Sequence, residues 1–282
     1  MIIERVQGQW RNEQTRRYWF LAIAVGAVLL MALYSLSDPA RLAHDQALTG
    51  SDWLGAGVCH RITERSFTIA GRQLPLCARC TGMYLGVALT LIVLALSGRL
   101  RRGDLPPKAI LFLLVGFIGI MGIDGINSYT HFFPNFPHVY EPRNWLRLLT
   151  GVGTGLAMGL FIFPVLAQTL WKLDYLRPVI GSFRELVAIM AVALTAVLLL
   201  LSNQPTVNYV LAIVSVVGLV AILASINAVL LLVIFRRDGL AVRWQQTAVP
   251  IVVSITLAVG ELVAMSLLRV QLIGTITGFP GL

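Results

Sequence analysis

The sequence predicts an all-α, polytopic bundle of about seven membrane-spanning helices, with the N-terminus cytoplasmic and the C-terminus outside. Three observations predict it: how apolar the chain is, how its apolar residues are grouped, and where its basic residues fall. Of the 282 residues, 57% are hydrophobic and 12% are charged, with a mean hydropathy of +0.80. A soluble domain carries about a quarter charged residues, so half of the usual charge is missing. No soluble domain of useful size remains once the apolar segments are removed. The net charge of +9 does not point to nucleic acid, because Lys and Arg in membrane proteins first serve orientation.

A helix needs roughly 20 apolar residues to cross a bilayer, and seven segments come close to or exceed that length. They are Tyr18–Leu36, Thr81–Ser97, Ala109–Asp124, Leu146–Trp171, Glu185–Ser202, Val207–Phe235 and Thr247–Leu268. The first starts late and no small-residue cleavage site follows it, so it reads as an anchor rather than a signal peptide. The third is short and ends on an aspartate, which predicts a stop near the interface. The sixth is long enough to tilt or to emerge into water. Pro164 and Pro250 predict kinks in the fourth and seventh. Gly151, Gly155 and Gly159 share one face of the fourth, where a neighbouring backbone can approach closely. By composition the chain divides into a short N-terminal segment (1–17), a core of four spans with two large outer segments (18–171), and a three-span C-terminal region (172–282).

Orientation follows from the basic residues. Arg5, Arg11, Arg16 and Arg17 precede the first span; Arg99, Arg101, Arg102 and Lys108 fill one connection. Lys172, Arg177 and Arg184 fill the next on that side, and Arg236, Arg237 and Arg243 the last. That side holds 14 basic residues against 8 opposite, so the positive-inside rule makes it cytoplasmic. All three cysteines and all four histidines (His44, His60, His131, His138) then fall in the outer segments, 37–80 and 124–146. Chemistry is expected at that face, on a bacterial-type cytoplasmic membrane with its functional loops on the periplasmic or extracellular side.

Cys77 and Cys80 form a C-x-x-C pair just before an apolar helix expected to begin at Thr81. Cys59 and His60 lie upstream, across a loop whose Gly71 and Pro75 allow it to fold back as a hairpin. Three thiols and one imidazole match a tetrahedral zinc site. Adjacent residues point different ways, so His131 or His138 stands as an alternative fourth ligand to His60. The rival reading is redox: a C-x-x-C at a helix N-terminus favours thiolate chemistry, and an outer location is oxidising in bacteria. The placement resembles that of thiol–quinone oxidoreductases, with quinone as partner, although a fourth cysteine is lacking. Thr81 follows Cys80 where a c-type haem needs histidine. A structural disulfide with a spare thiol remains the third possibility.

Arginine is dense beside these ligands: Arg61, Arg65, Arg72 and Arg79. Outside, they oppose the orientation signal, and a set of guanidiniums suits phosphate or carboxylate. The simpler role is pairing with Asp52, Glu64 and nearby carbonyls. The second outer segment adds Asp124, Asn127, Arg143, Asn144 and Arg147. Asn144, Arg147 and Gly151 fall on one helix face. Asp124, at the membrane edge, could pair with Arg147 or act as ligand or base, and a charge at that depth is a functional candidate. Catalytic roles are therefore assigned to Asp124, Arg147 and Asn144, and substrate binding to Arg61, Arg65, Arg79, Asn127 and Arg143. Glu261, well within a span, is expected to face the bundle near Asn227 or another polar group. The segment Thr130–Pro142, with three prolines and several aromatics, reads as an interfacial lid.

Cys59-His60-Arg61, Glu64-Arg65-Ser66-Phe67, Leu74-Pro75-Leu76-Cys77-Ala78-Arg79-Cys80-Thr81-Gly82, Asp124-Gly125, Asn144, Arg147 and Thr150-Gly151 together carry a resemblance. The chain resembles a bacterial and archaeal family of predicted integral membrane proteins, the domain of unknown function 2085, across residues 59–155. It departs from the family pattern at Asn127, where the family tends to carry glutamine; the amide survives with a shorter reach. The resemblance implies the site and leaves the chemistry open. Three functions stay in contention. One is a zinc-site protein acting on or binding an anionic lipid or isoprenoid-type substrate. The others are a quinone-coupled thiol–disulfide oxidoreductase and a non-enzymatic accessory subunit of a membrane complex.

Overall fold

The structure, a computed structural model, describes residues 39–131, 133, 139–173 and 177–278. The first expected span, Tyr18–Leu36, the segment 1–17 and His138 lie outside the described residues. In chain order the elements are α1 (Pro39–Ala43), α2 (Gln46–Ala56), a 3-10 turn (Thr63–Arg65), β1 (Thr68–Ile69), β2 (Arg72–Gln73) and α3 (Ala78–Leu96). Then come α4 (Lys108–Thr130), α5 (Asn144–Leu170), α6 (Phe183–Leu201), α7 (Pro205–Ile234) and α8 (Trp244–Ile273). Six helices among the described residues, α3 to α8, are long and apolar enough to cross a membrane. The chain is thus an all-α membrane bundle.

Burial is uneven, and the sequence explains why. Two-thirds (67%) of the most apolar stretch of α5 is buried, against 17% for α4. The centre is the α3–α5 crossing, where backbones touch through glycine. A Cβ on Gly82 would collide with the Leu148 carbonyl, one on Gly151 with the Arg79 carbonyl, and one on Gly155 with the Met83 carbonyl. Gly159 sits against Thr90, and Gly218 of α7 against the Tyr84 carbonyl of α3. The expected close packing of the α5 glycines is therefore realised, with α3 as the neighbour; small residues serve this purpose where lipid supplies no hydrophobic drive. Around the crossing pack Leu85, Leu94, Leu148, Leu156, Leu160 and Leu219, all fully buried. The outward residues of α4, such as Phe112, Val115, Ile123 and Ile126, stay exposed and apolar, as a lipid-facing surface requires.

Successive helices run antiparallel, which gathers two ends. At one end lie α1, α2, the hairpin, the start of α3, the end of α4, the starts of α5 and α7, and the end of α8. The hairpin pairs Thr68 with Gln73 and Ile69 with Arg72. Its turn, Ala70-Gly71, has φ of 47° and 82°, the left-handed pair that suits a two-residue loop. At the opposite end, Arg99 pairs with Glu185 at 2.6 Å and Arg102 donates to the Pro178 carbonyl. There too the guanidinium of Arg101 stacks over Trp171, 3.9 Å from the ring centroid.

Helix boundaries differ from expectation in instructive ways. α4 does not stop at Asp124 but continues to Thr130, because partners from α3, the 3-10 turn and the following loop satisfy the polar residues of its last turns. α3 begins at Ala78 rather than Thr81, with Cys77 extended at its N-cap, so Cys80 lies in the first helical turn. α8 runs past Leu268 and carries Arg269 inside the helix. Pro164 and Pro250 both lie within continuous helices.

Candidate metal centre and guanidinium cluster

The three cysteines converge. The sulfurs of Cys59, Cys77 and Cys80 all lie within 4.8 Å of one another. They are free thiols, with Cys59 and Cys77 buried. Three local features bring them together. The chain after α2 turns back through Cys59; the hairpin returns it to Leu76; and Cys77, capping α3, donates its backbone N–H to the Cys59 sulfur at 3.2 Å. Arg61, at φ 50°, adopts the left-handed conformation that makes the sharp exit from Cys59-His60 possible.

The thiol protons are shared unequally. Cys77 is held well below the ordinary thiol range because Cys59, and then Cys80, donates a hydrogen bond to it. Cys59 is pushed up to about 12, first because it donates to Cys77. The trio thus favours one thiolate at the mouth of α3, where the helix dipole also favours negative charge. Nδ1 of His60 lies 3.9 Å from the Cys59 sulfur. In a tetrahedral zinc–thiolate site the sulfurs stand about 3.8 Å apart, so the three sulfurs suit a soft metal ion with small adjustment, while His60, expected as the fourth ligand, does not join the group that closes on all three. His131 sits elsewhere, its Nε2 3.7 Å from the Glu141 carboxylate.

One clamp on this loop escaped the sequence reading. Arg269 of α8 donates to the carbonyls of Cys59, of His60 (2.8 Å) and of Ala56 (3.3 Å), and to the Gly278 carbonyl at 2.8 Å. Gly278 in turn donates its N–H to the Arg61 carbonyl at 3.0 Å. The end of α8 therefore fixes the backbone that presents two candidate ligands. The available signal was an arginine directly after an apolar run, which reads equally well as the end of a span.

The arginines separate into two groups. Arg61 is 2% exposed and bonds Asp52 at 2.7 Å, while Arg72 takes the other Asp52 oxygen at 2.8 Å. Arg72 thus ties the hairpin, and Arg61 the loop after Cys59-His60, to Asp52 of α2; Arg61, assigned to substrate binding from the sequence, is taken up by this pairing instead. The second group surrounds the end of α4. Arg79 pairs with the buried Asp124 carboxylate and reaches Ser128 Oγ at 3.1 Å. Arg147 approaches the same hydroxyl at 3.5 Å, and Arg65 donates to the Ser128 carbonyl at 3.3 Å. Asp124 is 1% exposed; its second oxygen accepts the Tyr140 hydroxyl at 2.8 Å. Asp124 therefore pairs with Arg79 rather than Arg147, and Ser128 links the two guanidiniums.

The remaining predicted residues find defined places. Asn144 Oδ1 accepts from Arg147 at 2.9 Å, and its amide donates to the Glu64 carbonyl at 3.1 Å. Asn127 ties down the following loop, donating to the Tyr140 carbonyl at 2.8 Å and accepting from Val139 N–H at 2.9 Å. The ends of the proposed lid segment are thus anchored, while 132 and 134–138 lie outside the described residues. Arg143 is exposed at the α5 N-cap, and the structure brings it to neither group. Glu261 meets Asn227 at 3.1 Å, the expected partner, but is exposed rather than turned into the bundle. Three guanidiniums, Arg65, Arg79 and Arg147, thus gather at Ser128, and Arg79 alone holds the Asp124 carboxylate. Burial holds Arg65 below the usual arginine range, and nearby Arg79 pushes the same way; arginine nevertheless keeps its charge at neutral pH.

Comparison with known proteins adds the following. A family model described as a predicted membrane protein, the domain of unknown function 2085, matches residues 59–161. An uncharacterised protein of Methanocaldococcus jannaschii is 30% identical over 115 residues, 41% of this chain and 67% of that protein. An uncharacterised protein of Methanothermobacter thermautotrophicus is 55% identical over 29 residues, 10% of this chain and 26% of that one. No solved structure matches. The matched region holds the cysteine trio and the Arg65–Arg79–Asp124–Arg147 group; α6, α7, α8 and Arg269 fall beyond it.

Proposed function

The chain belongs to the predicted membrane protein family of the domain of unknown function 2085, and we propose that its members' shared end holds a zinc ion beside an anion-binding guanidinium cluster. Cys59, Cys77 and Cys80 hold the ion, with His60 as fourth ligand. Arg65, Arg79 and Arg147 hold the anionic head of a lipid or isoprenoid-type substrate at the membrane–water interface. The observation that carries this reading is the convergence of three sulfurs within 4.8 Å, on the same first turn of α3 that carries Arg79. By the positive-inside rule this face is the non-cytoplasmic one.

Bound zinc supplies either a fixed structural clamp, when four protein ligands fill it, or a Lewis acid, when one position is open. The chain's own residues do the rest. Asn144 orients Arg147, Ser128 spaces it from Arg79, and Asp124 keeps Arg79 in place while Tyr140 caps its second oxygen. Asp124 serves by holding Arg79, and Arg147 is the charge that meets a developing anion.

A second reading draws on the thiolate character of Cys77. A Cys77–Cys80 dithiol would pass two electrons and two protons to a membrane quinone, leaving a disulfide and a quinol, with Cys59 as the exchanging thiol. Elemental mass spectrometry of the purified full chain, paired with a thiol count under denaturation, separates the two. The zinc reading expects one zinc per chain, three titratable thiols, and loss of the metal in Cys77→Ser. A metal-free protein with a disulfide overturns it.

A further inference from the structure

Next to the guanidinium cluster lies an apolar cavity of about 590 Å³ between α4, α5 and α6, a volume typical of pockets that bury most of a small ligand. Its floor is one face of α5: Leu146, Leu149, Thr150, Gly153 and Leu156. The walls are Phe117 and Ile120 of α4 and the Val187–Val197 stretch of α6. Gly153 keeps the floor low, since a Cβ there would already touch the Phe117 ring at 3.4 Å. The cavity lies on the side of α5 away from α3, against which α5 packs tightly through its glycines.

The cavity ends beside the cluster, whose residues neighbour its lining along α4 and α5 without being part of it. Asp124 follows Ile120 by one turn of α4, about 6 Å of rise, and Ser128 by a second. On α5, Arg147 sits between the lining residues Leu146 and Thr150. A molecule lying along the α4–α5 seam would therefore meet hydrocarbon through its length and guanidinium at its head. The charge at that head is unbalanced: Arg79 and Arg147 both act on the one carboxylate of Asp124. Arg79 Nε is moreover buried without a hydrogen-bond partner.

We infer that the α4–α5–α6 cavity is the chain slot of a lipid phosphate, whose phosphate sits on Arg65, Arg79 and Arg147. The inference rests on the anion-binding reading of the same guanidiniums and adds where the hydrocarbon goes. It makes the ligand a membrane lipid arriving sideways between α4 and α6, rather than a soluble phosphate arriving from water.

The test titrates the detergent-solubilised full chain with inorganic phosphate, butyl phosphate, decyl phosphate and decyltrimethylammonium, read by native mass spectrometry. Decyl phosphate is expected to bind once per chain, at least tenfold more tightly than butyl phosphate or decyltrimethylammonium. Arg147→Gln and Arg65→Gln each lower decyl phosphate affinity at least tenfold; Arg65 lies outside the spans, so its replacement keeps the bundle intact. Ala191→Trp and Leu194→Trp, on the exposed α6 wall, remove the chain-length advantage and leave butyl phosphate binding unchanged. Equal binding of butyl and decyl phosphate overturns the slot, as does a chain-length advantage that survives both tryptophans. Equal binding of decyltrimethylammonium overturns the phosphate head. Failure of every phosphate probe takes down the anion site itself, a result distinct from failure of the slot.

Discussion

The two ends of the bundle both collect arginine, but they use it differently. At the basic end Arg99 pairs one-to-one with Glu185, whose side chain is 32% exposed. Arg102 there takes a backbone carbonyl and Arg101 lies over Trp171. These contacts close short connections, and the carboxylate among them stays partly in water. At the cysteine end the carboxylate is 1% exposed, guanidiniums outnumber it, and three thiols converge beside it. Solvent pays little attention to geometry at the first end, whereas burial at the second makes each missing partner costly. The difference teaches that arginine density marks orientation where acceptors are carbonyls and solvent, and marks a site where guanidiniums cluster around one buried carboxylate.

Removing one carboxylate at each end gives the largest contrast. Asp124→Asn removes a fully buried carboxylate and leaves the half-buried Arg79 without its counter-charge, and should cost about 3 kcal/mol. Glu185→Gln, at the partly exposed pair, should cost about 1 kcal/mol or less. Unfolding of both variants in mixed micelles measures this, and equal losses would break the comparison. The next contrast sets two arginines side by side. Arg269→Gln strips the carbonyls of Cys59 and His60 of their donor and should cost about 2 kcal/mol. It should also speed metal release to a chelator, which a purely structural loss elsewhere would not do. Arg101→Ala gives up a stacking contact worth about 1 kcal/mol and should leave metal release unchanged.

The smallest effect is a pH dependence. Burial, and then the hydrogen bond to Asp124, pushes the Tyr140 hydroxyl up to about 12. The folded value lies above the unfolded value of about 10. The stabilisation is therefore full below pH 10 and is lost as pH rises through 12. Wild type should lose stability over that window more steeply than Tyr140→Phe, in parallel denaturation curves. Identical slopes would show that Tyr140 contributes nothing to the Asp124 end.

Much of the site was legible because its chemistry sits in short motifs. Cys59-His60 and Cys77-x-x-Cys80 carry metal-ligand spacing, and the Gly71 turn allows the hairpin that brings them together. Asn144 and Arg147 meet as their three-residue spacing requires, and Glu261 finds Asn227. Partner choice was less legible. Asp124 could have met Arg147 by sequence reasoning, yet it takes Arg79, because the glycines of α5 draw the start of α3 into that space. Arg61 looked like an anion ligand, and its left-handed backbone turns the side chain toward Asp52 instead.

The sequence by itself determined the six long helices among the described residues, although α4 and α8 run well past their expected ends, and the end of the bundle where the cysteines gather. Those properties depend on local hydropathy and on charges near span ends, which are written in contiguous residues. Only the tertiary structure decided that three sulfurs lie within 4.8 Å, that Arg269 grips the Cys59-His60 backbone from more than 200 positions away, and that an apolar cavity opens beside the guanidiniums. Each of these depends on which helix faces which. That choice was made by backbone contact at Gly82, Gly151 and Gly155, and glycine spacing announces a close approach without naming the neighbour.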